Sequence, residues 1–180
     1  SNADLSNADL SNADLSNADL SNADLSNANL TNTTIHHANL SGANFTGTDF
    51  TSADLHVSNL SGADLTNANL GDANLISTNL YVVNLSGANL TNANLSGANI
   101  AISNLSGADL NHADLIHANL IGANLTNANL RHAEIMFADL STADLTGADL
   151  YGANAHGVIG ADFSVAKQYD PILPNCNLCE

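Results

Sequence analysis

Seven histidines are the first residues in this 180-residue chain that could do chemistry. His36 and His56 lie 20 residues apart, and so do His112 and His132. If that spacing sets each pair on adjacent chain levels, the backbones stand ~5 Å apart. Two neighbouring imidazoles could then hold a metal, or sense pH near ~6.5. A zinc site takes three or four ligands, and Glu134 is the only obvious addition, near His132. The spacing therefore points to solvated histidines, and no metal or cofactor is expected.

Cys176-x-x-Cys179 could be half a zinc site, a redox pair or a local disulfide. No second such pair or neighbouring histidine pair accompanies it, so a free or bridged pair in a terminal cap is expected. The 18 acidic residues are spread along the chain, with no two placed in a foreseeable cleft. No nucleophile, base and orienting group fall together. The glycines follow the periodic pattern described below, so no phosphate-binding loop stands out. The chain is not expected to be an enzyme or to hold a small-molecule substrate.

Composition narrows the partners. Only Arg131 and Lys167 oppose the acids, leaving a net charge of −16. Direct contact with nucleic acid or an anionic membrane needs many more Lys and Arg. No apolar run approaches the ~20 residues of a membrane span, and no signal-peptide pattern is visible. A soluble chain is expected, with no compartment specified. Ser1 opens in mid-pattern rather than with Met, which suggests a processed, excised or engineered form. Hydrophobic residues make up 44% of the chain, yet aromatics only 4% and Trp is absent, so the apolar material is nearly all Leu and Ala.

What must position these residues is a repeat of five. From Leu5 to Leu150 every fifth residue is large and apolar, in 30 positions of 30. Ile35, Ile100, Ile135, Phe45 and Phe50 are the only departures from Leu. Two residues earlier stands Ala in 24 of 30 units, and one residue earlier Asp or Asn in 28 of 30. A period of five fits neither a helix nor a continuous strand. It suits a short strand followed by a turn. The second residue after each Leu is Asn or Gly in 18 of 30 units, and both tolerate the positive φ that a type II turn demands at its third residue.

The pattern A-(D/N)-L-x-x resembles the pentapeptide repeat family, over residues 1–154 without a break. The resemblance implies an all-β fold, a right-handed quadrilateral parallel β-helix with coils of 20 residues. With Leu and Ala inward, the core would hold Leu5, Leu25, Phe45, Phe50, Leu65, Leu85, Leu105, Leu125 and Leu145. Coils ~4.8 Å apart make a rod of about eight coils and ~38 Å.

Residues 1–163 are assigned to the β-helix and 164–180 to a C-terminal cap. Residues 1–25 are five perfect copies of S-N-A-D-L, which read as a designed consensus, a recent duplication or a placeholder. They leave an open edge at the first coil, inviting end-to-end stacking. Near Ala155 the register is expected to slip, resuming by three residues with Val158 and a last coil at Ala161–Asp162–Phe163. The segment beyond, with Val165, Tyr169, Ile172, Leu173 and Leu178, suits a lid over the core.

Residues 20 apart fall into columns at the four corners. The corner after Leu5 is a monotonous run of Ser or Thr, then Asn or Gly. The corner after Leu15 carries His36, His56, Ile76, Ile116 and Met136 in its first column, and His37, Val57, His117 and Phe137 in its second. The next corner adds Tyr81, Val82, Ala101, Ile102 and Ile121. Apolar residues on two adjacent corners mark an interaction surface.

The expected function is a non-enzymatic structural or protein-interaction rod, binding a protein partner or itself, end to end or laterally. An alternative follows from the resemblance: some family members protect DNA gyrase by mimicking duplex DNA. Here the charge is one per ~2.4 Å of rod, against one per ~1.7 Å in DNA, but the pre-Leu position is always Asn between residues 73 and 108. A lesser alternative is a water- or ice-ordering surface built on the Ser/Thr–Asn ladder.

Overall fold

Parallel pairing at a constant offset of 20 residues runs through the computed structural model, which describes residues 2–167. Asp4 pairs with Asp24, Asp9 with Asn29, and so on to Asp139 with Ile159. Each pairing is a one-residue bridge followed by a turn, so every 20-residue coil bridges four times and turns four times. The result is a β-helical solenoid. Among the described residues no helix is long and apolar enough to cross a membrane.

The five-residue unit closes because it satisfies all five of its backbone N–H groups, as buried backbone requires. In Ser26–Leu30, Ser26 N donates to Asp24 Oδ1 (3.0 Å) and Asn27 N to Thr46 O (2.9 Å). Ala28 N closes the turn onto Leu25 O (3.0 Å), Asn29 N reaches back to Ala8 O (2.9 Å) and Leu30 N forward to Asp49 O (2.7 Å). This explains the Asp or Asn before each Leu, whose role the spacing alone left open. Its side-chain oxygen accepts from the N–H two residues on, a local capping bond that only a short polar side chain makes. Asn does more than Asp, since its Nδ2 also donates to the residue 20 earlier, as from Asn79 to Asn59 (2.9 Å).

Leu25, Phe45, Phe50, Leu65, Leu85, Leu105, Leu125 and Leu145 are all buried, with the Ala column packed among them. Each such Leu contributes roughly 1.5–3 kcal/mol. Where a hydroxyl replaces Ala it is satisfied: Thr48 Oγ1 donates to Leu25 O (2.7 Å) and Ser58 Oγ to Ile35 O (2.6 Å). Leu5 departs from the expectation. With Leu10, Leu15 and Leu20 it is only partly buried, because no described coil precedes theirs.

The C-terminal expectation also needs correction. No register slip occurs at Ala155: Glu134 bridges Asn154 and Asp139 bridges Ile159, in unbroken steps of five. The bridges are made by backbone, so Ala155 can stand in a Leu position without breaking the coil. Nor does Ala161–Asp162–Phe163 begin another coil. Asp162 Oδ1 accepts from Ser164 N and caps a 3-10 helix, Phe163–Val165. Gly147 N donates to Val165 O (3.1 Å) and Lys167 N to Ala148 O (2.9 Å), while Phe163 and Ala166 pack against the core. Tyr169, Ile172, Leu173, Leu178, Cys176 and Cys179 lie outside the described residues.

Candidate interaction surface

The two residues of each turn differ in what they present. The first lies against its stacked neighbours, and the second projects outward at positive φ. Thus His37, Val57, Val82, Ile102, His117 and Phe137 are all exposed, with φ between 57° and 59°. Left-handed backbone costs a residue with a Cβ about 1–2 kcal/mol, and a β-branched residue there is an outlier. Val57, Val82 and Ile102 are nevertheless 47%, 48% and 57% exposed.

At the first turn position Ile76, Tyr81 and Ile121 are exposed, as expected. Ile116 and Met136 are not. Both are half-buried, as are His36 and His56, and Ala101 is buried. Residues of this column lie between the turns before and after them, so much of their surface is covered. The column after Leu15 is also interrupted, because Ser96 and Gly97 separate Val57 and Ile76 from Ile116, Met136 and Phe137. The following column is continuous from Tyr81 and Val82 through Ile102 to Ile121. Between the two runs a ladder of Asn59, Asn79, Asn99 and Asn119, each donating to the one before.

The family described as Pentapeptide repeats matches the chain in eight copies, over residues 1–36, 28–67, 58–97, 103–136 and 137–164. The chain belongs to the pentapeptide repeat family. HetL, a pentapeptide repeat protein involved in heterocyst differentiation regulation from the cyanobacterium Nostoc sp. strain PCC 7120, is 31% identical. That match covers 94% of this chain and 90% of HetL, with a TM-score of 0.46. A trypsin-treated form of QnrB1, a plasmid-mediated fluoroquinolone resistance protein, is 24% identical over 90% of this chain and 79% of its own, with a TM-score of 0.62. Rfr23, from the cyanobacterium Cyanothece 51142, is 32% identical over 63% of this chain and 64% of its own, with a TM-score of 0.40. No curated protein is matched.

Within the pentapeptide repeats, ring-bearing turn residues stack from coil to coil. The rings of His112 and His132 are parallel at 5.0 Å, and those of His117 and Phe137 at 5.2 Å. Phe137 also meets His156 edge-on at 5.5 Å. Glu134 does not join His132 as a ligand; its carboxylate accepts from Asn154 (2.8 Å). Two features escaped the sequence reading. Arg131 lies over the Tyr151 ring (4.6 Å) and donates to Asp149 (3.2 Å). The offset of 20 that paired the histidines also pairs Arg131 with Tyr151 and could have flagged them.

The second feature is that His37 joins His36 and His56. Ring centroids stand 5.1 Å apart for His36 and His56, 5.3 Å for His36 and His37, and 5.7 Å for His37 and His56. His56 Nδ1 lies 2.7 Å from Asp54 Oδ1, which also accepts from Asn74 (2.9 Å). Burial pushes the Asp54 carboxyl up, but the hydrogen bonds from His56 and the charges of His56 and His36 outweigh it and hold it below the ordinary range. His36 Nε2 lies 3.1 Å from Ser16 Oγ, which is 2.5 Å from Asp14 Oδ1.

Proposed function

We propose that this pentapeptide repeat protein is a non-enzymatic interaction rod that binds a protein, or a second copy of itself, through the turn columns after Leu15 and Leu20. One observation carries the reading. Val57, Val82 and Ile102 place exposed apolar side chains on backbone where Asn or Gly would be relaxed, and strained backbone carrying exposed apolar surface points to a surface that is used. The reading takes the rod as a right-handed, four-sided β-helix of about eight coils, whose pairing runs to Ile159. Strained turns recur along it at coil spacing, which suits a lateral partner. The test compares the wild type with Tyr81→Ser, Val82→Asn, Ile102→Asn and Ile121→Ser combined. Sedimentation equilibrium and cross-linking from the same columns should show an association that the variant loses. An association state and partner contacts unchanged in the variant remove the reading.

A second reading is mimicry of duplex DNA toward gyrase, favoured by the net charge of −16 and by a fold shared with QnrB1. The charge distribution opposes it, since the pre-Leu residues from Asn74 to Asn104 are uncharged. A gyrase supercoiling assay separates the two: full supercoiling at high protein concentration excludes mimicry and leaves the rod reading intact.

A further inference from the structure

We propose that His36, His37 and His56 form a binding site for a divalent transition metal of zinc's class, linking two successive coils. Each offers a ring nitrogen, and the three ligand atoms lie within 4.8 Å of one another. Among the described residues no other group of three or more His, Cys, Asp or Glu is so placed. Two stacked imidazoles fell short of a site in the sequence; His37, on the outward position of the same turn, supplies the third.

The surroundings match what a metal-bound histidine needs. Such a histidine hands its other ring N–H to a carboxylate or similar acceptor, which orients the ring and selects its tautomer. His56 Nδ1 has Asp54 at 2.7 Å, leaving Nε2 for a metal. On the other side a relay does the same work. Ser16 Oγ donates to Asp14, so its lone pairs are free to accept from His36 Nε2–H. That tautomer leaves His36 Nδ1 with a bare lone pair, and Nδ1 is buried with no hydrogen-bond partner. A buried polar atom without a partner is destabilising; a metal ion on Nδ1 would supply the missing partner.

The local backbone supports the assignment. Thr34 replaces the Asp or Asn of other units, so it lacks the oxygen that elsewhere caps the first turn N–H. In the turn that follows, His37 N stands 3.3 Å from His56 O, against 2.9–3.1 Å at the equivalent bonds of the other described turns. In a tetrahedral zinc site with bonds of 2.0–2.1 Å, ligand nitrogens stand ~3.4 Å apart. Closing from 4.8 Å takes movements of about 1.5 Å, within reach of side-chain rotation at exposed His37 and half-buried His56. Three imidazoles suit zinc, copper or nickel better than calcium or magnesium. They leave one coordination position for water or an outside ligand.

The experiment titrates ZnCl2 into chelator-treated protein by calorimetry, with Co²⁺ absorption as a second probe. The chain carries Cys176→Ser and Cys179→Ser, so that thiolates do not compete. The expected result is one ion per chain, with a rise in melting temperature on binding. His37→Asn, His36→Ser or His56→Ser should each weaken binding at least ten-fold, and Asp54→Asn about 10–100-fold. Ser and Asn are the residues that Ser16 and Asn17 place in these same columns, so the variants should fold; circular dichroism verifies it. His132→Asn should change nothing. The proposal is overturned by an absence of saturable binding, by affinity unchanged in His37→Asn, or by equal loss in His132→Asn.

Discussion

The rings of Phe45 and Phe50 meet edge-on inside the core, with centroids 5.0 Å apart and planes at 63°. They are large residues of successive units in one coil, and both are fully buried. Phe45→Leu and Phe50→Leu each exchange the pair for the side chain of neighbouring coils and leave part of the ring volume empty. Each should cost about 1–2 kcal/mol, and the double variant should cost less than the sum by about 0.5–1.5 kcal/mol, because the ring contact is lost only once. Urea denaturation of the four proteins measures both quantities. Strict additivity would show that the rings are not coupled.

Val82 and Ile102 sit at φ 57° and 58°. Val82→Asn and Ile102→Asn should each raise stability by about 1 kcal/mol, since Asn adopts left-handed backbone at lower cost than a β-branched residue. The same changes should weaken association in the proposed rod. A melting temperature that falls in either variant would show that these side chains stabilise the coil, not a partner.

Asn79 donates to Asn59 Oδ1 at 2.9 Å and accepts from Tyr81 N at 3.2 Å. Asn79→Asp keeps the acceptor and loses the donor, so about 0.5–1.5 kcal/mol should be lost. Asn79→Ala also leaves Tyr81 N uncapped and should cost more. The two midpoints in urea rank the ladder bond against the capping bond, and a costlier Asp variant would reverse that ranking.

Asp144 is held below its ordinary value of 3.8 by the Thr146 hydroxyl and then the Thr146 N–H, against a slight opposing effect of burial. A carboxyl lowered by folding stabilises the fold above its unfolded value, and that contribution disappears as pH falls through the lowered one. Carbon-detected NMR should therefore find Asp144 titrating below 3.8. Thr146→Ala should move it upward and shrink the acid-sensitive part of the stability curve. An unmoved Asp144 would leave the hydroxyl without a role.

Much of the fold was legible because its determinants are local and recur. A Leu every fifth residue, Ala two before it and Asn or Gly two after it predict one turn per unit, and the bond from Ala28 N to Leu25 O is that turn. The outward position of Val57, Val82, Ile102 and Phe137 follows from the same register. Where neighbours decide, the pattern misled. Ile116 and Met136 share the column of exposed Ile76 yet are half-buried. Ala155 looked like a slip because side chains were compared, whereas the coil is propagated by backbone bridges.

One turn per unit and the inward side chains follow from the five-residue pattern, because each unit finds its backbone partners in neighbouring copies of itself and needs nothing else. The column each histidine occupies follows only once the 20-residue coil implied by the family resemblance is added. What those columns do rests on contacts between stacked turns. An offset of 20 places His36 beside His56, but that the His37 ring also meets both edge-on rests on side-chain angles that the repeat leaves open. Whether His36 Nδ1 finds a partner depends on Ser16 and Asp14 one coil earlier. Such outcomes rest on angles and distances between stacked turns, and the repeat, being indifferent to what its turns carry, does not encode them.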